Sequence, residues 1–424
     1  MAFRSIFVAI IASCWLPQTF CGSFNGYKLP FVNLSASQTY NNHNYYHNYY
    51  DAENLNITTT ATPPTTLQLV HVLFRHGPRT PVNTYPNDPY VRETFYPYGW
   101  GQLTNAGKRE LFKMGQWLAR RYENFLTQFY TPELLHVQSS ASPRTLMSMA
   151  TVLAGMFPPK NTVMEWNIKL NWQPIPIQAQ PLDRDIWLRM TADCPRYQQA
   201  LQEVLQRSEV QQELKRHENL FKELTEITGL NVTTAHDITS IYITLLAERD
   251  YGLNLPPWTQ NYYPFKMQFM AEQSYIYNAY TTEMQRIKGG PLLQLMLEHM
   301  LSKAEGSLRP SQRKIYMYCA HDWSVTNFLM ALKVWKRQLP KFSALVLIEL
   351  HRQMSGKDYY VKFFFRNDPK AILEPLILPG CTVACPLDKV LELVKDVIPN
   401  AAYEEMCRLK EGPAFEKYLK SDYN

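Results

Sequence analysis

The sequence predicts an α/β protein: a doubly wound, mostly parallel sheet with helices on both faces and a helical insertion. Three observations lead there. Apolar runs of strand length alternate with amphipathic helical patterns from about residue 67 to residue 157. A long middle stretch has helical periodicity and little strand character, and after it the strand–helix alternation resumes. The matching domain division is a core built from 67–190 and 300–424, with 191–299 inserted as a helical cap.

With 424 residues, 46% hydrophobic and 19% charged, the chain can bury a large core. The formal charge of +6 has no Lys/Arg run behind it, which argues against nucleic acid or an anionic membrane as partner. Residues 1–22 have one Arg, an apolar run from Ile6 to Leu16 and then small or polar residues. That is the layout of a secretory signal peptide, with cleavage expected near Cys21 or Gly22. No later stretch reaches the roughly 18 apolar residues of a membrane span, and the end, "FEKYLKSDYN", is polar. The expectation is a soluble protein outside the cytosol, without a membrane anchor.

Residues 23–66 ("TYNNHNYYHNYY", "ITTTATPPTT") lack apolar periodicity and read as a disordered leader. His43 and His47 are spaced as an HxxxH pair, but no helix supports a metal site there. If Cys14 and Cys21 leave with the signal, five cysteines remain. Cys381 and Cys385 can close a tight loop in "PGCTVACP"; Cys194 would then pair with Cys407, leaving Cys319 as a buried thiol. Sequons at Asn33, Asn56 and Asn231 fit secretion.

Order begins at Leu67. "LQLVHVLF" reads as a strand buried on both faces, with His71 as a hydrogen-bonded core histidine. In "TNAGKRELFKMGQWLARRY", Thr104 caps a helix that turns Leu111, Met114, Leu118 and Tyr122 inward. "ELLHVQSS" is a second strand. In "ASPRTLMSMATVLAGMF", Ser142 is the N-cap, Pro143 opens the helix, and Leu146, Met149, Leu153 and Met156 or Phe157 face the core. Helical patterns then dominate from about Pro195 to His299. "RKIYMYCA" resumes the sheet, "WSVTNFLMALKVW" follows as a helix, and "ALVLIELHR" and "YYVKFFFRN" form an antiparallel hairpin at the sheet edge.

Charge collects where these strands stop. Arg75, His76 and Arg79 follow the first, Arg144 the second, and His321 and Asp322 follow "IYMYCA". Ligands of open α/β sheets bind beyond the carboxyl ends of the strands, so distant segments can converge there. Arg144 also opens a helix, whose N–H groups favour an anion. Three arginines, two histidines and one acid suit a phosphate group, because guanidinium forks pair with phosphate oxygens.

"RHGPRTP" and "AHDWSV" resemble the RHGxRxP signature and distal His-Asp element of the histidine acid phosphatases. "SSASPRTLMSMATVLAGMFPP", "WQPIPI", "YGLNLPPW", "KGG" and "LPGCTVACPL" resemble animal prostatic and lysosomal members in the same order, from about Leu67 to Cys407. The resemblance implies an acid phosphatase acting on small phosphate monoesters without a cofactor or metal, secreted or in a lysosomal lumen; it leaves a homodimer open. It also implies that His76 is the nucleophile, that Arg75, Arg79, Arg144 and His321 bind phosphate, and that Asp322 is the proton donor. Position 78 is Pro where many relatives have Asp, and a disulfide common in vertebrate members has no counterpart in "KRQLPKFSALVLIEL".

Three other readings compete. A phytase or inositol-polyphosphate phosphatase shares the motifs, and an inactive secreted binding protein shares the fold, although here all six residues are present. A metal-dependent phosphatase is disfavoured because no His/carboxylate cluster has ligand spacing. The Ala-His-Asp triplet occurs twice; His236 and Asp237 open a helix with no strand before it, which reads as a helix N-terminus.

Overall fold

The computed structural model describes residues 66–410 except positions 191, 355 and 357. The expected signal segment and the expected leader up to residue 65, with Cys14, Cys21, Asn33, Asn56, His43 and His47, lie outside the described residues. The strands are β1 (Leu67–Arg75), β2 (Leu135–Ser140), β3 (Gln178–Gln180), β4 (Ile315–Ala320), β5 (Leu345–Arg352), β6 (Tyr359–Arg366), β7 (Glu374–Leu376) and β8 (Cys385–Pro386). They form one sheet in the order β3-β2-β4-β1-β5-β6-β7, with β8 also on β6. From β3 to β1 the pairing is parallel. From β1 onward it is antiparallel. The β5–β6 hairpin is present, but β5 lies inside the sheet against β1, and the short β7 occupies the edge.

Strand alternation sorts β1 between two layers. Val70, Val72 and Phe74 pack with α1 (Asn105–Arg121) and α2 (Pro143–Met156). Leu69 and Leu73 pack on the other face, with α10 (Gly290–Glu305) and α11 (Asp322–Ala331). His71 shares that second face, stacked 5.1 Å from Tyr316 with its Nε2 3.4 Å from His299 Nδ1. The expected core positions Leu111, Met114 and Leu118 on α1, and Tyr122 just after it, are all buried. On α2 Val152 is buried while Leu146 is half-buried. A methyl group on Gly115 or Gly155 would collide with a carbonyl of the facing helix, Val152 or Phe112 respectively.

Between the halves of the sheet come α3 (Pro195–Leu205), α4 (Ser208–Arg216), α5 (Glu218–Thr228), α6 (Ala235–Tyr251), α7 (Thr259–Tyr262), α8 (Phe265–Asn278) and α9 (Thr282–Lys288). Their inward residues, among them Leu224, Ile238, Leu245, Met267 and Met270, form a cluster of their own. The Cys194–Cys407 disulfide lies in that cluster, tying its start to the C-terminal part of the chain. Cys381 and Cys385 are also bonded, and Cys319 is free and buried. The last helix of the stretch, α10, turns Leu292, Leu293, Met296 and Leu297 toward the sheet. Asn231 is exposed. No helix among the described residues is long and apolar enough to cross a membrane.

Candidate active site

Parallel pairing brings the charged residues together. Arg75 ends β1 in register with Ala320 at the end of β4, and the His76 N–H donates to the Ala320 carbonyl at 3.0 Å. β2 runs beside β4, so α2 begins at the same end and delivers Arg144. Gly77 turns the chain away where there is no room for more: a methyl group there would lie 2.8 Å from the Leu111 side chain. All six predicted residues meet at this end of the sheet, and all but Arg144 are buried.

Single-role partners fix the proton positions. A carbonyl only accepts, so the 3.0 Å contact between His76 Nδ1 and the Gly77 oxygen puts the proton on Nδ1. The lone pair of the neutral ring is therefore on Nε2. A guanidinium only donates, so His321 Nδ1 accepts from Arg144 at 3.4 Å. His321 Nε2 then donates to the Ser140 hydroxyl at 2.8 Å. The two imidazoles stand edge to face, 5.6 Å apart.

Arg75 donates to the Pro340 carbonyl, pairs with Asp322 Oδ2 at 2.8 Å and lies 4.3 Å above the Phe342 ring. Asp322 accepts from the Trp323 N–H at 2.9 Å and the Tyr275 hydroxyl at 3.2 Å. Burial, then the charges of Arg144 and Arg75, hold the His76 imidazole well below its ordinary pKa. His321 is lowered in the same way by burial and then Arg144. Burial and the neighbouring cations push Arg79 down to about 9 and Arg144 down to about 10, which leaves both charged in acid. For Asp322, burial pushes the carboxyl up, but Arg75, His321, the Trp323 N–H and Arg79 outweigh it and hold the group below its usual range. The site is a cationic cradle with a neutral imidazole and one ionised carboxylate. It fits a phosphate group.

A sequence model described as the histidine phosphatase superfamily (branch 2) matches residues 66–366. The chain belongs to the histidine phosphatase superfamily. Curated relatives of this branch-2 histidine phosphatase include the venom acid phosphatase of Apis mellifera, 38% identical over 79% of this chain and 86% of that one. The prostatic acid phosphatase of Bos taurus is 38% identical over 78% and 85%. The lysosomal acid phosphatase of Homo sapiens is 35% identical over 85% of each. Among solved structures, the phytase of Citrobacter braakii superposes with a TM-score of 0.60 at 15% identity, covering 81% of this chain and all of that one. The Hafnia alvei phytase in complex with tartrate also reaches 0.60, at 16% identity over 82% and 100%. These structural likenesses show a shared fold.

Several neighbours in this phosphatase escaped the sequence reading. Tyr275 comes from α8, 47 positions from the carboxylate it touches. Phe342 lies in a loop, and Ser140 orients His321 from the end of β2. The first Ala-His-Asp triplet does open a helix: Asp237 and Thr234 form a reciprocal cap. The exposed His236 ring, however, lies 6.0 Å from Trp323.

Proposed function

We propose that this chain, an acid phosphatase of the histidine phosphatase superfamily, hydrolyses phosphate monoesters through a phosphohistidine on His76. One observation carries the reading: His76 is anchored through Nδ1–H to the Gly77 carbonyl, so its Nε2 lone pair is free within a ring of arginines. In the first step that lone pair forms an N–P bond as the ester P–O bond breaks, and the electron pair leaves on the alcohol oxygen. Arg75, Arg79, Arg144 and His321 hold the non-bridging oxygens with charge already in place. Asp322 gives the departing oxygen its proton. In the second step water attacks phosphorus and passes a proton to the Asp322 carboxylate; the N–P electron pair returns to Nε2 and phosphate leaves.

Asp322 rests ionised against Arg75, so its acid role needs a cause. An incoming phosphate competes for the Arg75 guanidinium and brings negative charge beside the carboxylate. Both effects raise the proton affinity of Asp322. The same charge favours a protonated His321, whose Nδ1–H then donates to phosphate. Small monoesters are the substrates we assign, and a lysosomal or extracellular compartment is supported by relatives named for lysosome and venom and by the exposed sequon at Asn231. The test is a panel of monoesters at acidic and neutral pH. His76→Ala must lose turnover on all of them while its circular dichroism matches wild type; retained turnover contradicts the assignment.

A further inference from the structure

Asp322 is the inner end of a line of contacts that reaches solvent. Its Oδ2 accepts from the Tyr275 hydroxyl, and the Tyr275 ring lies 4.3 Å from the Trp323 ring at 38°. The Trp323 ring lies 6.0 Å from the His236 ring at 36°. Tyr275 is buried, Trp323 half-buried and His236 exposed. Three aromatic groups from α8, α11 and α6 therefore descend in a step from the surface to the carboxylate.

We propose that Trp323 and His236 form a binding subsite for an aromatic leaving group, which makes aryl phosphates preferred over alkyl phosphates of similar size. This rests on Asp322 as proton donor. Arg75 and Tyr275 both contact Asp322 Oδ2, at 2.8 and 3.2 Å, and in the proposed mechanism phosphate engages Arg75. The leaving oxygen must come within about 2.6–3.2 Å of the carboxyl to take its proton. With phosphate held by the arginines, the first carbons of the leaving group point away from Arg75, toward Tyr275 and Trp323. A ring extending outward from that point meets Trp323 first and His236 second. Aromatic pairs attract beyond simple burial at centroid separations of about 4.5–7 Å, a gain that a saturated ring of the same size does not share. His236 is exposed, so its ring is available to a substrate without any rearrangement of the core.

Calorimetry with two inert phosphonates tests the subsite apart from the chemistry. Benzylphosphonate has a methylene where an aryl ester has its oxygen; cyclohexylmethylphosphonate has the same outline without the π system. Wild type should bind the benzyl compound more tightly by about 3- to 10-fold. His236→Ala and Trp323→Leu should each shrink that preference by about 2- to 5-fold, and His236→Phe should keep it. An absent preference in wild type, or one unchanged in both reduced variants, overturns the subsite. Should Trp323→Leu not fold, His236→Ala at its exposed position decides alone. Inorganic phosphate is titrated into the same samples. If wild type fails to bind it, the catalytic reading falls as well; phosphate binding with an unchanged benzyl preference overturns the subsite only.

Discussion

The Arg75 guanidinium and the Asp322 carboxylate pair at 2.8 Å with only 1% and 12% of their side chains exposed. In the proposed mechanism the pair joins the two jobs of the site, one partner holding phosphate and the other serving the leaving group. The same mechanism lets an acid with a lowered pKa donate, because its restraint is the cation that the substrate would engage.

Asp322→Asn keeps the shape and removes the proton. An alkoxide is a far more basic leaving group than p-nitrophenolate, so the loss should depend on the substrate. Single-turnover phosphorylation by an alkyl phosphate should fall by about 10²–10⁴-fold, the usual worth of general acid catalysis. p-Nitrophenyl phosphate should lose much less. Equal losses on both would mean that Asp322 only positions Arg75 or His321.

Arg144 begins α2 and lies 3.4 Å from His321, so it presents a fixed fork and not merely a charge. Arg144→Lys should lower kcat/KM by at least about 10-fold, because a point charge cannot form paired bonds to phosphate oxygens. Full activity in the lysine variant would show that charge alone suffices at this position. Activity should also survive exhaustive treatment with EDTA, since arginines supply the positive charge that a metal would otherwise bring. Loss on chelation, restored by added zinc or magnesium, would contradict the arginine-built site.

How much of this was legible follows from the range of the contacts involved. β1 and β4 are largely apolar runs, and charged residues follow both of them and the more polar β2, so strand, strand end and site could be read together. The 3.6-residue face of α1 showed its large apolar core positions, but not the buried Gly107 and Gly115. β3, β7 and β8 have three, three and two residues and show no period to read. The hairpin was recognisable, but its place beside β1 depends on long-range pairing. Tyr275 was hidden because α8 is buried on more than one side, at Met267, Met270, Ala271 and Glu272. No single face marks its tyrosine as special, and its meeting with Asp322 exists only in the folded chain.

The Cys194–Cys407 bridge closes a separation of 213 residues inside a packed cluster. Replacing both cysteines by serine should lower the unfolding free energy by about 2–5 kcal/mol, read by urea denaturation. A change within error would contradict a stabilising role. Cys319 is buried, and burial pushes its thiol pKa well up, so its peptide should take up a thiol reagent only after denaturation. Labelling in the native protein would contradict the burial.

Glu248 ties stability to acid. Its carboxyl is fully buried, and burial and then Asp88 push its pKa up to about 9. An unfolded glutamate loses its proton near pH 4.5, the folded one only near pH 9. Between these values the folded state binds more protons, so stability from this group is full below about 4.5 and drains away as pH rises. Melting temperatures measured from pH 5 to pH 8 should therefore fall less steeply in Glu248→Gln than in wild type. Parallel curves for the two proteins would contradict the prediction.

The central claim is a covalent bond from phosphorus to His76 Nε2. Wild type should be mixed with labelled p-nitrophenyl phosphate, quenched rapidly without acid, digested and its peptides sequenced by mass. The account predicts label on the peptide containing His76, stable in alkali and lost in acid, and none in His76→Ala. Label on any other residue, or a burst of p-nitrophenol with no labelled histidine, would contradict it.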